Sequence, residues 1–315
     1  MLTVRASPVL SLEEMPTHRI AQPRNAAEER ARFYNSGNGF NLKLAPVAVE
    51  DFKAEAMKAL SPATAGITTS RFIDCEGAGF SDVATSPLML ARYAVIGASD
   101  CLESDDNGQQ VVYVIRGAGK ASLSSGEEFS LAPGDVLIAC DICKFSAAGD
   151  GMVLWCVNSN PMNRLLGVTV DRDDPRFVPV FYPASVIEEE LRIVLAAPRS
   201  SQTSGRALIF SSVAEEDLRA VTPALTLSFN TLFPGETQPP HRHNATAITL
   251  VVAGEGCHTV IDGVPFNWSP WTTLVTPPSS MHAHVNNGPE VARFLIVQDG
   301  ALYYHARTMD LRHGK

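Results

Sequence analysis

Five of the chain's eight histidines fall between positions 241 and 284, and four of them form two His-x-His pairs, His241-Arg-His243 and His282-Ala-His284. Imidazole nitrogen is the commonest protein ligand for a catalytic transition metal. On an extended strand an i, i+2 spacing puts both rings on one face, roughly 7 Å apart along the chain. Pro277-Pro278 precedes the second pair and is expected to begin another strand. Two histidines from one strand and one from the other would make a facial three-nitrogen site with open positions. Open positions serve chemistry, because scaffolding sites close their coordination shell with protein ligands.

Such pairs need strands to hold them, and the surrounding sequence is strand-like. Leu225, Leu227 and Phe229 alternate with Thr226, Ser228 and Asn230, the pattern of a half-buried strand. Ala247–Val252 follows, then His258–Ile261, an Asp262-Gly263 hairpin turn, Thr273–Thr276 and Arg293–Val297. The same rhythm occurs earlier, at Leu88–Ile96, Gln110–Ile115, Lys120–Leu123, Glu128–Leu131, Val136–Ala139 and Met152–Val157. Gly117-Ala-Gly119 answers Gly254-Glu-Gly256, and Pro133 answers Pro270, so the domain is duplicated. Aligning the copies on these positions puts Ser104, Asp106 and Phe145 where the second copy has His241, His243 and His282. The first copy is therefore expected to be free of metal.

The fold class expected is all-β, with two barrels and a few short helices. Residues 1–70 form an arm broken by prolines, in which Val49–Leu60 has a short amphipathic helical pattern with Phe52, Ala56, Ala59 and Leu60 on one side. Residues 71–160 form the first barrel. Residues 161–204 form a linker, with a helix over 183–197 and Ser185 as its candidate cap. Residues 205–315 form the metal-binding barrel.

Composition excludes several other classes. The net charge is −9 and no basic run occurs, so nothing supports nucleic-acid binding. Glu13 and Glu14 interrupt the N-terminal apolar residues before they reach signal-peptide length, and no stretch approaches 18 apolar residues. The six cysteines are scattered, which fits reduced thiols in a cytoplasmic protein, and Cys140-Asp-Ile-Cys143 has no second pair to complete a zinc set.

The second copy resembles the cupin superfamily. Gly235, His241, His243 and Gly254 match the spacing of its first motif, with Ala247 in place of the usual glutamate, and Pro277, His282 and Asn286 match the second. The resemblance implies a bicupin and names His241, His243 and His282 as the ligands. Within cupins, residues 228–301 most resemble gentisate 1,2-dioxygenase and its salicylate- and hydroxynaphthoate-cleaving relatives, through Leu232-Phe-Pro-Gly-Glu236, His241-Arg-His243, Gly254-Glu-Gly256, Pro277–Asn286 and Asp299-Gly300. Those relatives also lack the glutamate. Two positions depart from them: Thr249 stands where the family's carboxylate-gripping arginine would be, and Asn230 where it has glutamine. Asn230, Thr249 and Asp299 are thereby the expected substrate-binding residues.

What the resemblance implies is a ring-cleaving dioxygenase that takes O₂ and a hydroxylated aromatic acid, or another anionic chelating compound. Fe(II) is the metal implied, with Mn, Ni and Zn as alternatives, in a homo-oligomer, dimer or tetramer. His284, beside the ligand His282, is the candidate for proton exchange with the substrate hydroxyl. Two other classes fit the same ligands: a cupin lyase, isomerase or decarboxylase that consumes no oxygen, and a non-enzymatic small-molecule-binding cupin.

Overall fold

The computed structural model describes residues 11–15, 18–40, 42–62, 66–75, 78, 83–104, 109–140, 142–171, 173–198 and 205–314. Two compact units divide the chain, Met1–Pro46 and Val47–Lys315. In the first, the helix Ala26–Arg30 is capped by the Asn25 side chain, which accepts the Glu28 amide. Everything below concerns the second.

One barrel is built on a sheet in the order Thr69–Ile73, Leu90–Ile96, Cys143–Asn158, Gln110–Leu123, Val136–Ala139, Val180–Tyr182. Cys101–Ser104 pairs with Cys143–Asn158, and Glu128–Leu131 with Gln110–Leu123. Two strands expected as separate pieces are continuous here. Gln110–Leu123 runs straight through Gly117-Ala-Gly119, where the register shifts and the strand bends instead of ending. Gly117 has a φ of +78°, and a Cβ there would meet the Gly151 carbonyl oxygen at 2.0 Å, so glycine permits the bend.

The other barrel faces a six-stranded sheet against a five-stranded one. The first runs Glu50–Asp51, Thr273–Thr276, Ala247–Ala253, Ala292–Gln298, Thr226–Leu232, Arg206–Phe210. The second runs Val264–Asn267, Cys257–Ile261, His282–Asn286, His241–His243, Leu311–His313. The hairpin turn falls at Asp262-Gly263, with φ of 47° and 85°. Pro277-Pro278 does not start a strand as expected. It lies in the turn after Thr273–Thr276, the backbone reverses at Ser279 with a φ of 65°, and the strand begins at His282.

Strand alternation sends one face of each large sheet into its own barrel and the other into a shared core. Leu227, Phe229, Ile248, Leu250, Val275, Leu295 and Val297 pack in one cluster with Tyr93, Val111, Tyr113, Val136, Val153 and Trp155 of the first barrel. The barrels thus lie back to back, as sheets packed face to face. Polar pins cross the seam: the Trp155 indole donates to Thr273 Oγ1 at 3.0 Å, and the Tyr93 hydroxyl lies 2.8 Å from that same oxygen. The helix Lys53–Leu60 buries Phe52, Ala56 and Ala59, as its pattern predicts.

The linker helix is Ala184–Ala196. Ser185 is inside it and does not cap it. Instead the Asp135 carboxylate, from a turn of the first barrel, accepts the Ala184 amide at 2.7 Å, which ties the linker to that barrel. The sequence pattern missed three short α-helices, Ala26–Arg30, Asn160–Leu166 and Gly300–His305. Among the described residues no helix is long and apolar enough to cross a membrane.

Candidate metal centre

His241 and His282 face each other across the antiparallel strands His241–His243 and His282–Asn286. His243 is two residues on and points to the same side. All three are buried, and their ligating nitrogens lie within 4.8 Å of one another. Among the described residues, His, Cys, Asp or Glu side chains converge in a group of three or more only here.

Each ring is fixed by its own backbone. His241 Nδ1 lies 3.0 Å from the Pro239 carbonyl, His243 Nδ1 2.8 Å from that of Ala245, and His282 Nδ1 2.9 Å from that of Ser280. A carbonyl only accepts, so each Nδ1 carries the proton and each Nε2 keeps a lone pair. Burial lowers all three pKa values, His282 to about 3 with His241 beside it as the next cause. At neutral pH the site therefore offers three neutral, oriented nitrogen donors. That donor set fits a divalent transition ion and has no need of the glutamate that Ala247 replaces.

His284 stands behind the ligands on the same strand face, 2% exposed. Its ring packs against Phe294 and Trp268, with centroids 4.7 and 5.7 Å away. Thr259 Oγ1 lies 2.9 Å from His284 Nδ1 and accepts the Trp268 indole N–H at 2.8 Å. Among the described residues no other acceptor pairs with this hydroxyl. Its proton therefore goes to Nδ1, since a buried unpaired donor is costly, and His284 carries its own proton on Nε2. Burial, then the charges His282, His241 and His243 would carry, hold its pKa well below the usual histidine value. Thr259 and Trp268 are functional neighbours that the sequence reading missed.

The opposite wall comes from the six-stranded sheet. Thr276, Ala247, Gln298 and Thr226 stand side by side in register, and Leu274, Thr249, Ile296 and Ser228 form the next row. Thr249 is fully buried on this inward face, and its Oγ1 has no hydrogen-bond partner. Asn230 donates to Ser228 Oγ at 2.8 Å. A cavity of about 360 Å³ lies at the Gln298 end of this wall, lined by Thr226, Ser228, Ile296, Gln298, Arg219 and Tyr304; His241, His243, His282, Thr249 and Asn230 are not in its lining. Asp299 lies beside Gln298 in sequence. Its buried carboxylate accepts the Thr246 amide at 2.8 Å, and burial raises its pKa to about 7. Gln298, which the sequence reading also missed, has its amide nitrogen 3.2 Å from His243 Nε2.

The first barrel holds a different arrangement at the corresponding place. Ser104 pairs with Cys143 as His241 pairs with His282. Cys143 is thus the counterpart of His282, and Phe145 the counterpart of His284, which corrects the sequence alignment by two residues. The slip arises because the loops between these strands differ in length. Asp106 lies outside the described residues. Arg92, 2% exposed, donates to Ser104 Oγ at 3.0 Å, and Gln110, the counterpart of Ala247, donates to the same oxygen at 3.0 Å.

The Cupin domain family matches residues 229–298, the stretch that carries the ligands, the inward-facing sheet and Gln298. The fold is that of a bicupin. The chain is 37% identical over 82 residues to gentisate 1,2-dioxygenase from Ralstonia sp, a match covering 26% of this chain and 23% of that protein. It is 28% identical over 89 residues to 5-nitrosalicylic acid 1,2-dioxygenase from Bradyrhizobium sp, covering 28% of this chain and 42% of that one. The matched stretch thus spans about a quarter of the length of the gentisate enzymes. Beyond that stretch the likeness is one of fold: the bicupin aligns with salicylate 1,2-dioxygenase from Pseudaminobacter salicylatoxidans at a TM-score of 0.72 and 13% identity, covering 87% of this chain and 91% of that one.

Proposed function

We propose that this bicupin is an Fe(II)-dependent ring-cleaving dioxygenase acting on a hydroxylated aromatic acid of the gentisate or salicylate type. The observation that carries the reading is the trio of neutral, carbonyl-anchored imidazoles, His241, His243 and His282, in the barrel that the Cupin domain model matches, together with the chain's partial identity to such enzymes. His241, His243 and His282 would hold the Fe(II), which would supply Lewis-acid and redox chemistry toward a chelating substrate and O₂.

The chain's own residues do the rest. The three histidines carry no charge, so the site stays strongly positive and favours an anionic chelating substrate. His284 holds a proton at Nε2, opposite its bond to Thr259, and offers it to the substrate's ring hydroxyl oxygen as a neutral imidazole. Phe294 and Trp268 keep water from that imidazole. Thr249 and Asn230 line the wall where the substrate carboxylate rests, and Asp299 holds the Gln298 end of that wall by its bond to the Thr246 amide. The working protein is a homo-oligomer in the cytoplasm.

The test is an oxygen-electrode screen of iron-loaded protein over gentisate, salicylate and substituted salicylates, with elemental analysis of the His241→Ala and His282→Ala variants. One O₂ consumed per ring opened and loss of iron in both variants is the expected result. Product formed without O₂ would replace this reading with a lyase, isomerase or decarboxylase. Equal iron in parent and variants would refute the ligand assignment.

A further inference from the structure

We propose that Gln298 is a fourth donor to the metal, a neutral amide that takes over from a neighbouring strand the role of the absent glutamate. Three observations carry it. Ala247, at the glutamate position of the first cupin motif, has no side chain able to reach a metal, and its register partner on Ala292–Gln298 is Gln298. Side chains of directly paired residues emerge on the same face a few ångströms apart. The longer glutamine can therefore fill the space that a glutamate at 247 would have used.

The second observation is a distance. The Gln298 amide nitrogen lies 3.2 Å from His243 Nε2. Two donors that each stand about 2.1 Å from one ion are roughly 3.0 Å apart along an octahedral edge and roughly 3.4 Å apart along a tetrahedral edge. The hydrogen-bonded separation falls between these two edge lengths, so both side chains are close enough to share one ion without a backbone shift.

The third is the polarity of the contact. His243 Nδ1 gives its proton to the Ala245 carbonyl, so Nε2 is the acceptor and the Gln298 N–H the donor. A metal that takes the Nε2 lone pair leaves that N–H without an acceptor. A half-turn of the terminal amide then exchanges nitrogen for Oε1 at the same place and turns a lone pair toward the ion. Gln298 in this way guards the empty ligand nitrogen and completes the filled site. On the other side of Ala247, Thr276 is 1% exposed and its Oγ1 has no hydrogen-bond partner, a second polar group left beside the vacated position. A neutral fourth donor also keeps the full charge of the ion for an anionic substrate, which a glutamate would halve.

This inference rests on the metal centre and not on which reaction follows. The experiment titrates metal-free full-length protein with Co(II), reading affinity and the visible d–d spectrum, with thermal melting as the control for folding. For Gln298→Ala the expected result is a 10- to 100-fold weaker Co(II) affinity and an altered d–d band, the scale typical of losing a group that supports a metal site. For Gln298→Glu the expectation is tighter binding by at least about tenfold, because the donor gains charge at an unchanged position. Parent-like affinity and spectrum in both variants would overturn the assignment. A parent that takes up no Co(II) would instead refute the metal centre, and this donor with it.

Discussion

Thr259 is where the role of His284 can be separated from metal binding. Thr259→Val keeps the shape of a fully buried side chain and removes only its oxygen. Two contacts disappear, the 2.8 Å bond from the Trp268 indole and the 2.9 Å bond to His284 Nδ1. Each stranded buried group costs about 1–3 kcal/mol, so the variant should lose roughly 2–6 kcal/mol of stability, read by urea unfolding. The functional loss has another source. Without the hydroxyl, Nδ1 can take the proton, and the imidazole then presents a lone pair where a proton is needed. Fixing groups of this kind are worth about 10- to 100-fold in activity. The assay is oxygen uptake with gentisate at saturating iron, alongside iron content and the Thr259→Ser variant, which restores the hydroxyl. Activity should fall in the valine variant and return with serine, while iron content stays level in all three. A valine variant that turns over like the parent would show that His284 needs no fixed tautomer. One that loses iron would show that the damage lies in the ligands.

Three further outcomes follow from other contacts. Thr249→Arg puts a guanidinium on the inward wall where the gentisate enzymes have theirs, and kcat/KM for gentisate should rise, measured by steady-state oxygen uptake. Asp299 has a folded pKa raised to about 7, so the folded state holds a proton that the unfolded chain releases near pH 4. Stability is then lost as pH rises from about 4 to 7, by up to roughly 4 kcal/mol, and Asp299→Asn should flatten that slope in urea melts taken across the range. Thr273→Val removes the acceptor of the Trp155 indole and a partner of the Tyr93 hydroxyl at the seam between the barrels, and should cost about 2–4 kcal/mol in the same measurement.

The convergence of His241, His243 and His282 was legible in the sequence because strand periodicity turns an i, i+2 spacing into a shared face, and because Pro277, His282 and Asn286 fix which member of the second pair belongs to the motif. The two-barrel architecture was legible from the repeated glycine and proline positions. Gln298, Thr259 and Trp268 were not, since each matters only through its position across strands: Gln298 by facing Ala247, and Thr259 by facing His284. Sequence carries no direct mark of such register. The counterpart of His282 was misplaced for the same reason, because alignment on turns cannot see a difference in loop length that pairing resolves. Gly117 was read as a stop and is a bend, since a glycine's φ is set by the Gly151 carbonyl packed against it.

Arg92 gives the two barrels different dependencies on their surroundings. The first holds a guanidinium of its own against Ser104, the register counterpart of His241 in the second. The first barrel thereby holds its buried positive charge under every condition, whereas the second could gain one only from an ion in solution.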